Sequence, residues 1–272
     1  MSRASTTGLL DRASTEKGSL STFTRRARTW LKQQIDSDQH YLEAELILLA
    51  IATGIIDACS FPKYHCFVSN QTGNTVLFAV AAFSLFGDRS ETNFQVPVSH
   101  LGLSLGFFIL GVFSAGQTAN FFDSKFSRWW LLLTNTVGTT ATMIAALLAL
   151  LYNRDYEDQN SVPPLLIEIA LLAFSAGAQV AMSRQLSMPE IPTTQATAAY
   201  VDLFVDPNFF AGVTKNRSRN RRIFFLIALV IGSFIGAPAY HYVSSALTIF
   251  LAGMLKVMVT LMMFFNATKE RR

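Results

Sequence analysis

The sequence predicts an all-α integral membrane protein of about eight transmembrane helices, seven strong and one weak, arranged as two parallel four-helix repeats. Three observations lead there. The 272 residues are 51% hydrophobic and only 15% charged, with a mean hydropathy of +0.34, whereas soluble domains carry about 25% charged residues. Apolar runs long enough to cross a bilayer recur along the chain. One such run is repeated, with its polar punctuation, four runs later. The 23 Phe residues fit as well, because Phe inserts favourably at helix centres.

Residues 1–42 are polar and Ser/Thr-rich and lack the apolar core of a secretory signal. They read as a disordered basic cytosolic tail. Within the tail, residues 23–35 place Phe23, Ala27, Trp30, Leu31 and Ile35 at helical spacing, with Arg25, Arg26, Arg28 and Lys32 between them. Two readings stand: an interfacial helix on an anionic membrane, or a basic flank that sets topology. A helical crossing needs about 20 apolar residues. Residues 43–61, 67–86, 97–120, 129–152, 164–184, 222–242 and 245–266 meet that length. Phe61-Pro62 is expected to close the first run, because proline disfavours helix in the residue before it. Pro97 and Pro163-Pro164 stand where a first helical turn tolerates them. Trp129-Trp130 suits an interfacial belt. The weak eighth candidate, 193–212, is rich in Thr and carries Asp202 and Asp206. One membrane domain, 43–266, follows, with repeat A at 43–152, repeat B at 164–266 and a cytosolic tail at 267–272.

Charge decides whether the weak segment crosses. With eight crossings and a cytosolic N-terminus, seventeen of the 22 Lys and Arg lie on the cytosolic side, four lie opposite and Lys256 lies within the last run. If only the weak segment fails to cross, the basic loop 215–222 and the C-terminus move outside, against the positive-inside rule. Eight crossings with both termini cytosolic is therefore the expectation.

The repeat rests on Leu48–Ser60 against Leu171–Ser183, identical at six of thirteen positions. Ala50, Gly54 and Ala58 match Ala173, Gly177 and Ala181. Each trio forms a small-xxx-small stripe that lets helix backbones approach closely. A polar segment follows each copy, Gln71–Val76 and Gln195–Asp202. A Gly-rich run then follows in both halves, Gly111–Gly116 and Gly232–Gly236. The second copy comes four crossings after the first, and an even step would leave both in one orientation, related by an axis along the membrane normal.

Gly54-Ile-Ile-Asp57-Ala-Cys-Ser-Phe61, followed by Phe67-Val-Ser-Asn-Gln-Thr72-Gly73-Asn74-Thr75, resembles the signature of the YoaK-like membrane proteins. In that family a Gly-x-x-Asp-Ala helix precedes a Thr-Gly-Asn motif, and the second half shows Gly-Ala-Gln before a Thr-rich Thr-Gly stretch. Gly177-Ala178-Gln179 matches, whereas Ala198 stands where the second glycine is expected. The resemblance covers about residues 43–265. It implies a membrane architecture and names no substrate, being to a domain of unknown function.

Asp57 is the most informative residue. A carboxylate near the bilayer centre costs at least about 2.5 kcal/mol on insertion scales, so it is expected to face the bundle interior. It reads either as a coupling or substrate-binding carboxylate or as a structural anchor. Gln71, Thr72 and Asn74 cluster after it, with Gln179, Thr197 and Asp202 expected opposite. Asparagine, glutamine and threonine also bond neighbouring helices for about 0.6 kcal/mol each. Lys256, near the centre of the last run, needs a partner or a route to the interface; Asp57 and Asp202 are the candidates. Glu168, His100 and His241 lie near run ends and read as interfacial.

Cys59 and Cys66 are too few for a disulfide framework and, with His65, lack a fourth ligand for zinc. No nucleophile elbow, phosphate loop or His-Glu-x-x-His pair is present, and no basic face with interleaved aromatics suggests nucleic acid. No enzyme activity or cofactor is expected. The expected partners are the lipid bilayer and a small polar solute or ion. The leading reading is a small-solute or ion transporter; the competing one is a non-transporting membrane scaffold or assembly factor.

Overall fold

The computed structural model describes residues 24–35, 40–84, 96–152 and 163–266; most of the expected N-terminal tail and all of 267–272 lie outside them. The described residues form helices α1 (24–31), α2 (His40–Tyr64), α3 (Gln71–Ser84), α4 (Val98–Phe121), α5 (Arg128–Leu151), α6 (Pro163–Gln185), α7 (Ala196–Phe204), α8 (Arg217–Tyr242) and α9 (Ser245–Met263). Six of these, α2, α4, α5, α6, α8 and α9, are long and apolar enough to cross a membrane. α2 continues past Pro62 and ends where His65 turns left-handed, at φ 56°.

Among the described residues, two of the eight expected crossings are not spanning helices. α3 has 14 residues and α7 has nine. At 1.5 Å per residue they are roughly 21 and 14 Å long, against a hydrocarbon core of about 30 Å. Each follows a partly buried irregular segment, 65–70 before α3 and 186–195 before α7. The first segment doubles back along α2, so that Ser69 Oγ donates to Asp57 Oδ2 seven residues before the helix ends. α3 then heads out again along α4: Gln71 and Asn74 bond Ser104, and the Phe78 ring packs on Gly102, nearer the start of α4. α7 behaves alike against α8. Ala199 and Leu203 share an apolar cluster with Leu226, and the segment leaves at Asp206, 3.8 Å from Arg222 near the start of α8.

Side-chain pairs fix the helix directions. α2 and α6 are antiparallel, joined by Lys63–Glu168 near one end and Thr53–Gln179 midway. α2 and α8 are parallel: Glu43 meets Arg217 and Arg221, Gly54 packs on the backbone of Leu229 and Ser233, and Gly236 packs on Ile55. α4 and α6 are likewise parallel, with Gly111 against Phe174 and Ala178 and, further along both helices, Gln185 bonded to Gly116 and Asn120. α5 and α9 are antiparallel through Arg128–Asn266 and Asn135–Thr260.

The expected common orientation of the two matching stretches is therefore overturned. With α3 failing to cross, only α4 and α5 cross between the copies, so the second copy comes three crossings after the first instead of four, and an odd step reverses direction. The packing role expected of the small residues is met at both glycines. A Cβ on Gly54 would collide with the carbonyl of Leu229, and one on Gly177 with that of Phe108. Gly232 lies on Ile51. Ala50, Ala173 and Ala181 are buried, and Ala58 is half-buried. Cys59 and Cys66 are buried and free.

Candidate functional site

A small polar pocket lies where the middles of α2, α6 and α9 meet the irregular segment 65–70. Thr53, Asp57, Ser69, Gln179 and Lys256 line it, closed by Ile56, Val68, Leu172 and Ala176. The space among them admits about one water molecule.

Each polar group is held from a different element. Thr53 Oγ1 donates to the Leu49 carbonyl at 3.0 Å, one turn back, and accepts from Gln179 Nε2 at 3.0 Å. Asp57 accepts from Ser69 through Oδ2, while its buried Oδ1 has no partner. Lys256, 3% exposed, donates to Ser175 Oγ at 2.7 Å. Ser175 in turn donates to the Gly138 carbonyl at 2.8 Å and lies 3.2 Å from Thr142 Oγ1. The pocket thus holds a carboxylate with one free oxygen and an amine anchored on α5 and α6. Neither candidate partner, Asp57 nor Asp202, forms an ion pair with Lys256 among the described residues, although Asp57 lines the same pocket.

The amide cluster does a different job from the one expected. Asn74 is fully buried and clasps the Phe67 peptide on both sides. Its Oδ1 accepts the Phe67 N–H at 2.8 Å and its Nδ2 donates to the Phe67 carbonyl at 2.6 Å. Ser104 Oγ donates to the same carbonyl at 2.7 Å, and Gln71 Nε2 donates to that of Val68 at 3.1 Å. Backbone that leaves a helix at membrane depth must find such partners. Gly73 belongs to the same clasp, since a Cβ there would press on the Phe67 ring at 3.3 Å. Gln71 and Asn74 therefore support the segment carrying Ser69 to Asp57, rather than lining the pocket.

Thr72 is exposed, as are Thr197 and Asp202 on α7. Asp202 stands 4.0 Å from Arg222, outside the pocket and away from Lys256. The α7 stretch was expected opposite Asp57 on the premise that it crosses; because it turns back instead, its polar residues leave with it.

Two ion-pair clasps lie at opposite ends of α2. Where α2 begins, Glu43 accepts from Arg217 at 2.8 Å and Arg221 at 2.9 Å, and Glu190 accepts from Ser218 at 3.0 Å. Beside them, hydrogen bonds from the Asn216 side chain and the Asn208 backbone hold the Asp206 carboxyl below the usual carboxylate range. Where α2 ends, Glu168 Oε2 takes Lys63 Nζ at 2.6 Å and the Tyr64 hydroxyl at 2.7 Å. Glu168, expected at the interface, is in fact buried and paired. His100, also buried, lies 2.8 Å from the Tyr64 carbonyl.

Sequence reading missed Thr53, Ser69 and Ser175 as members of the polar centre. A hydroxyl within an apolar run is too common to single out. Glu168 carried the stronger signal, an acid inside an apolar run.

No solved structure matches the chain. It is 26% identical over 213 residues to the UPF0700 transmembrane protein YoaK of Bacillus subtilis (strain 168), covering 75% of this chain and 88% of that protein. The family described as "Protein of unknown function (DUF1275)" matches residues 46–262, which span α2 to α9 and include every pocket residue. With its apolar helices and its Asp57-bearing centre, the chain is a multi-pass membrane protein that belongs to the DUF1275 family.

Proposed function

We propose that this protein moves a small solute or ion across its membrane through the Asp57 pocket. In this reading its halves are inverted repeats, each of three crossings and one segment that enters and returns. The observation that carries the proposal is the unpartnered Asp57 Oδ1 facing the same buried space as Lys256, midway along the helices. Ionisable groups at that depth are expensive and mark substrate or ion pathways. Non-helical backbone at membrane depth, as in 65–70, is tolerated where it lines such a site.

The pairing of helices supports the inverted repeat. α2 lies parallel to α8 through Gly54, just as α6 lies parallel to α4 through Gly177. Inverted repeats place sites near the midplane and let one half rock against the other. The two clasps fit a resting state closed at both ends.

Charge gives the orientation. Of the fourteen Lys and Arg among the described residues, twelve lie towards the face where α2 begins, Lys63 lies at the other, and Lys256 is within the bundle. The positive-inside rule then puts the α2-start face, and both termini, in the cytosol. Two non-crossing segments preserve parity, so the bias that argued for eight crossings is kept with six.

The scaffold reading draws support from one observation, the pocket's small volume. Reconstitution separates the two. Liposomes containing the purified protein and a trapped pH dye, given gradients of a panel of ions and small solutes, should show solute-dependent pH change. Asp57→Asn should abolish it while keeping the wild-type melting temperature. An unchanged signal in that variant, or loss of folding on removal of the charge alone, would support the scaffold.

A further inference from the structure

Helix α1 carries a cationic face of its own, away from the pocket. Its chain is fixed to the bundle: the Ile35 N–H donates to the Phe126 carbonyl at 2.8 Å, and the Arg128 N–H donates to that of Gln33 at 3.1 Å. Trp30 stacks on Phe264 with ring centres 5.8 Å apart, and the Arg128 guanidinium lies 4.3 Å from the Trp30 ring centre. Arg128 is already engaged, donating to the carbonyls of Phe264 and Asn266. A shallow groove runs along α1, lined by Arg25, Arg26, Thr29, Trp30 and Gln33. The first four fall at i, i+1, i+4 and i+5, one side of α1, and Gln33 lies just past its end. Arg25 and Arg26 are exposed, and no acidic side chain pairs with them among the described residues.

The depth of the groove identifies its occupant. Phe121, Phe122, Phe264 and Phe265 are exposed at the ends of α4 and α9, close to where α1 docks. With them stand Trp30 and Trp129, the latter edge-on to Phe122 with ring centres 5.7 Å apart, both of the residue type that settles at the membrane interface. A cationic groove beside them sits where lipid phosphates are concentrated. Arginine presents a planar fork that pairs two donors with phosphate oxygens, and Trp30 supplies an apolar floor for the first carbons of an acyl chain.

We propose that the α1 groove binds the headgroup of an anionic phospholipid, with Arg25 and Arg26 on its phosphate. The lipid neutralises two arginines that no acidic side chain pairs with among the described residues, and it holds α1 against the ends of α5 and α9.

Titrating the full-length protein in detergent with short-chain phosphatidylglycerol or phosphatidylcholine, read by native mass spectrometry, tests this. The wild type should retain phosphatidylglycerol preferentially. A basic residue near an anionic surface contributes about fivefold to affinity, so Arg25→Gln/Arg26→Gln should weaken retention roughly thirtyfold. Lys125→Gln/Lys215→Gln removes the same charge from exposed positions towards the same face and should leave most of the preference intact. Both double variants alter exposed side chains, and circular dichroism should show wild-type helix content. Equal retention of the two lipids by the wild type, or equal loss in both variants, would overturn the assignment in favour of diffuse attraction.

Discussion

Asp57 and Asn74 stand seventeen residues apart and are both polar groups inside apolar surroundings, yet their substitutions should differ in kind. Asn74 satisfies both polar groups of the Phe67 peptide. Asn74→Ala strands a buried N–H, which costs about 1–3 kcal/mol, so the purified variant should melt lower in detergent. Asp57→Asn keeps the shape and an acceptor for Ser69 while removing the charge. It should fold and insert normally and lose only pH-dependent solute movement. If the two variants instead show the same thermal loss, Asp57 is a structural anchor. The sequence revealed Asp57 because an intramembrane carboxylate is costly. It did not reveal which amide shares its pocket, because Asn74 and Gln179 look alike in sequence: one clasps a peptide and the other lines the pocket. Only the doubling-back of 65–70 separates them.

Helix pairing was legible where small residues repeat. Gly54 and Gly177 were singled out by their stripes, and both lie against a neighbouring backbone. Gly54→Leu and Gly177→Leu should each abolish most folded yield, because the obstructing atoms are main-chain carbonyls that no rotamer change moves. Fluorescence-detected gel filtration measures this, and a normal monodisperse peak for either variant would contradict the packing. The shortness of α3 was not legible, and α7 showed only as a weak, polar run. Hydropathy counts apolar residues without seeing the left-handed turns at His65, Ser187 and Thr193 that break the helix. Nor was the pairing of Glu168 with Lys63, since the two lie 105 residues apart. Removing one member of a buried ion pair costs about 3–5 kcal/mol, whereas replacing both with apolar groups is often neutral. Glu168→Leu should therefore be markedly less stable than Lys63→Met/Glu168→Leu, as thermal melts of both will show. Equal stabilities would mean that the clasp is not an interacting pair.

Across the whole molecule, the direction of each copy depends on how many segments cross between them. Apolar length counts seven crossings and the charge balance adds an eighth, and the geometry of α3 and α7 reduces them to six. The positive-inside bias cannot choose between these numbers, because either places the basic termini and loop 215–222 on one side. The α4–α5 connection does choose. Eight crossings put it on the opposite side of the membrane from the N-terminus, and six put it on the same side. Lys125 lies there and is exposed, and the native Cys59 and Cys66 are buried. A Lys125→Cys variant should therefore react with a membrane-impermeant maleimide only after cells are permeabilised, while Val243→Cys, between α8 and α9, reacts in intact cells. Labelling of the Lys125→Cys thiol in intact cells would contradict the six-crossing inverted architecture.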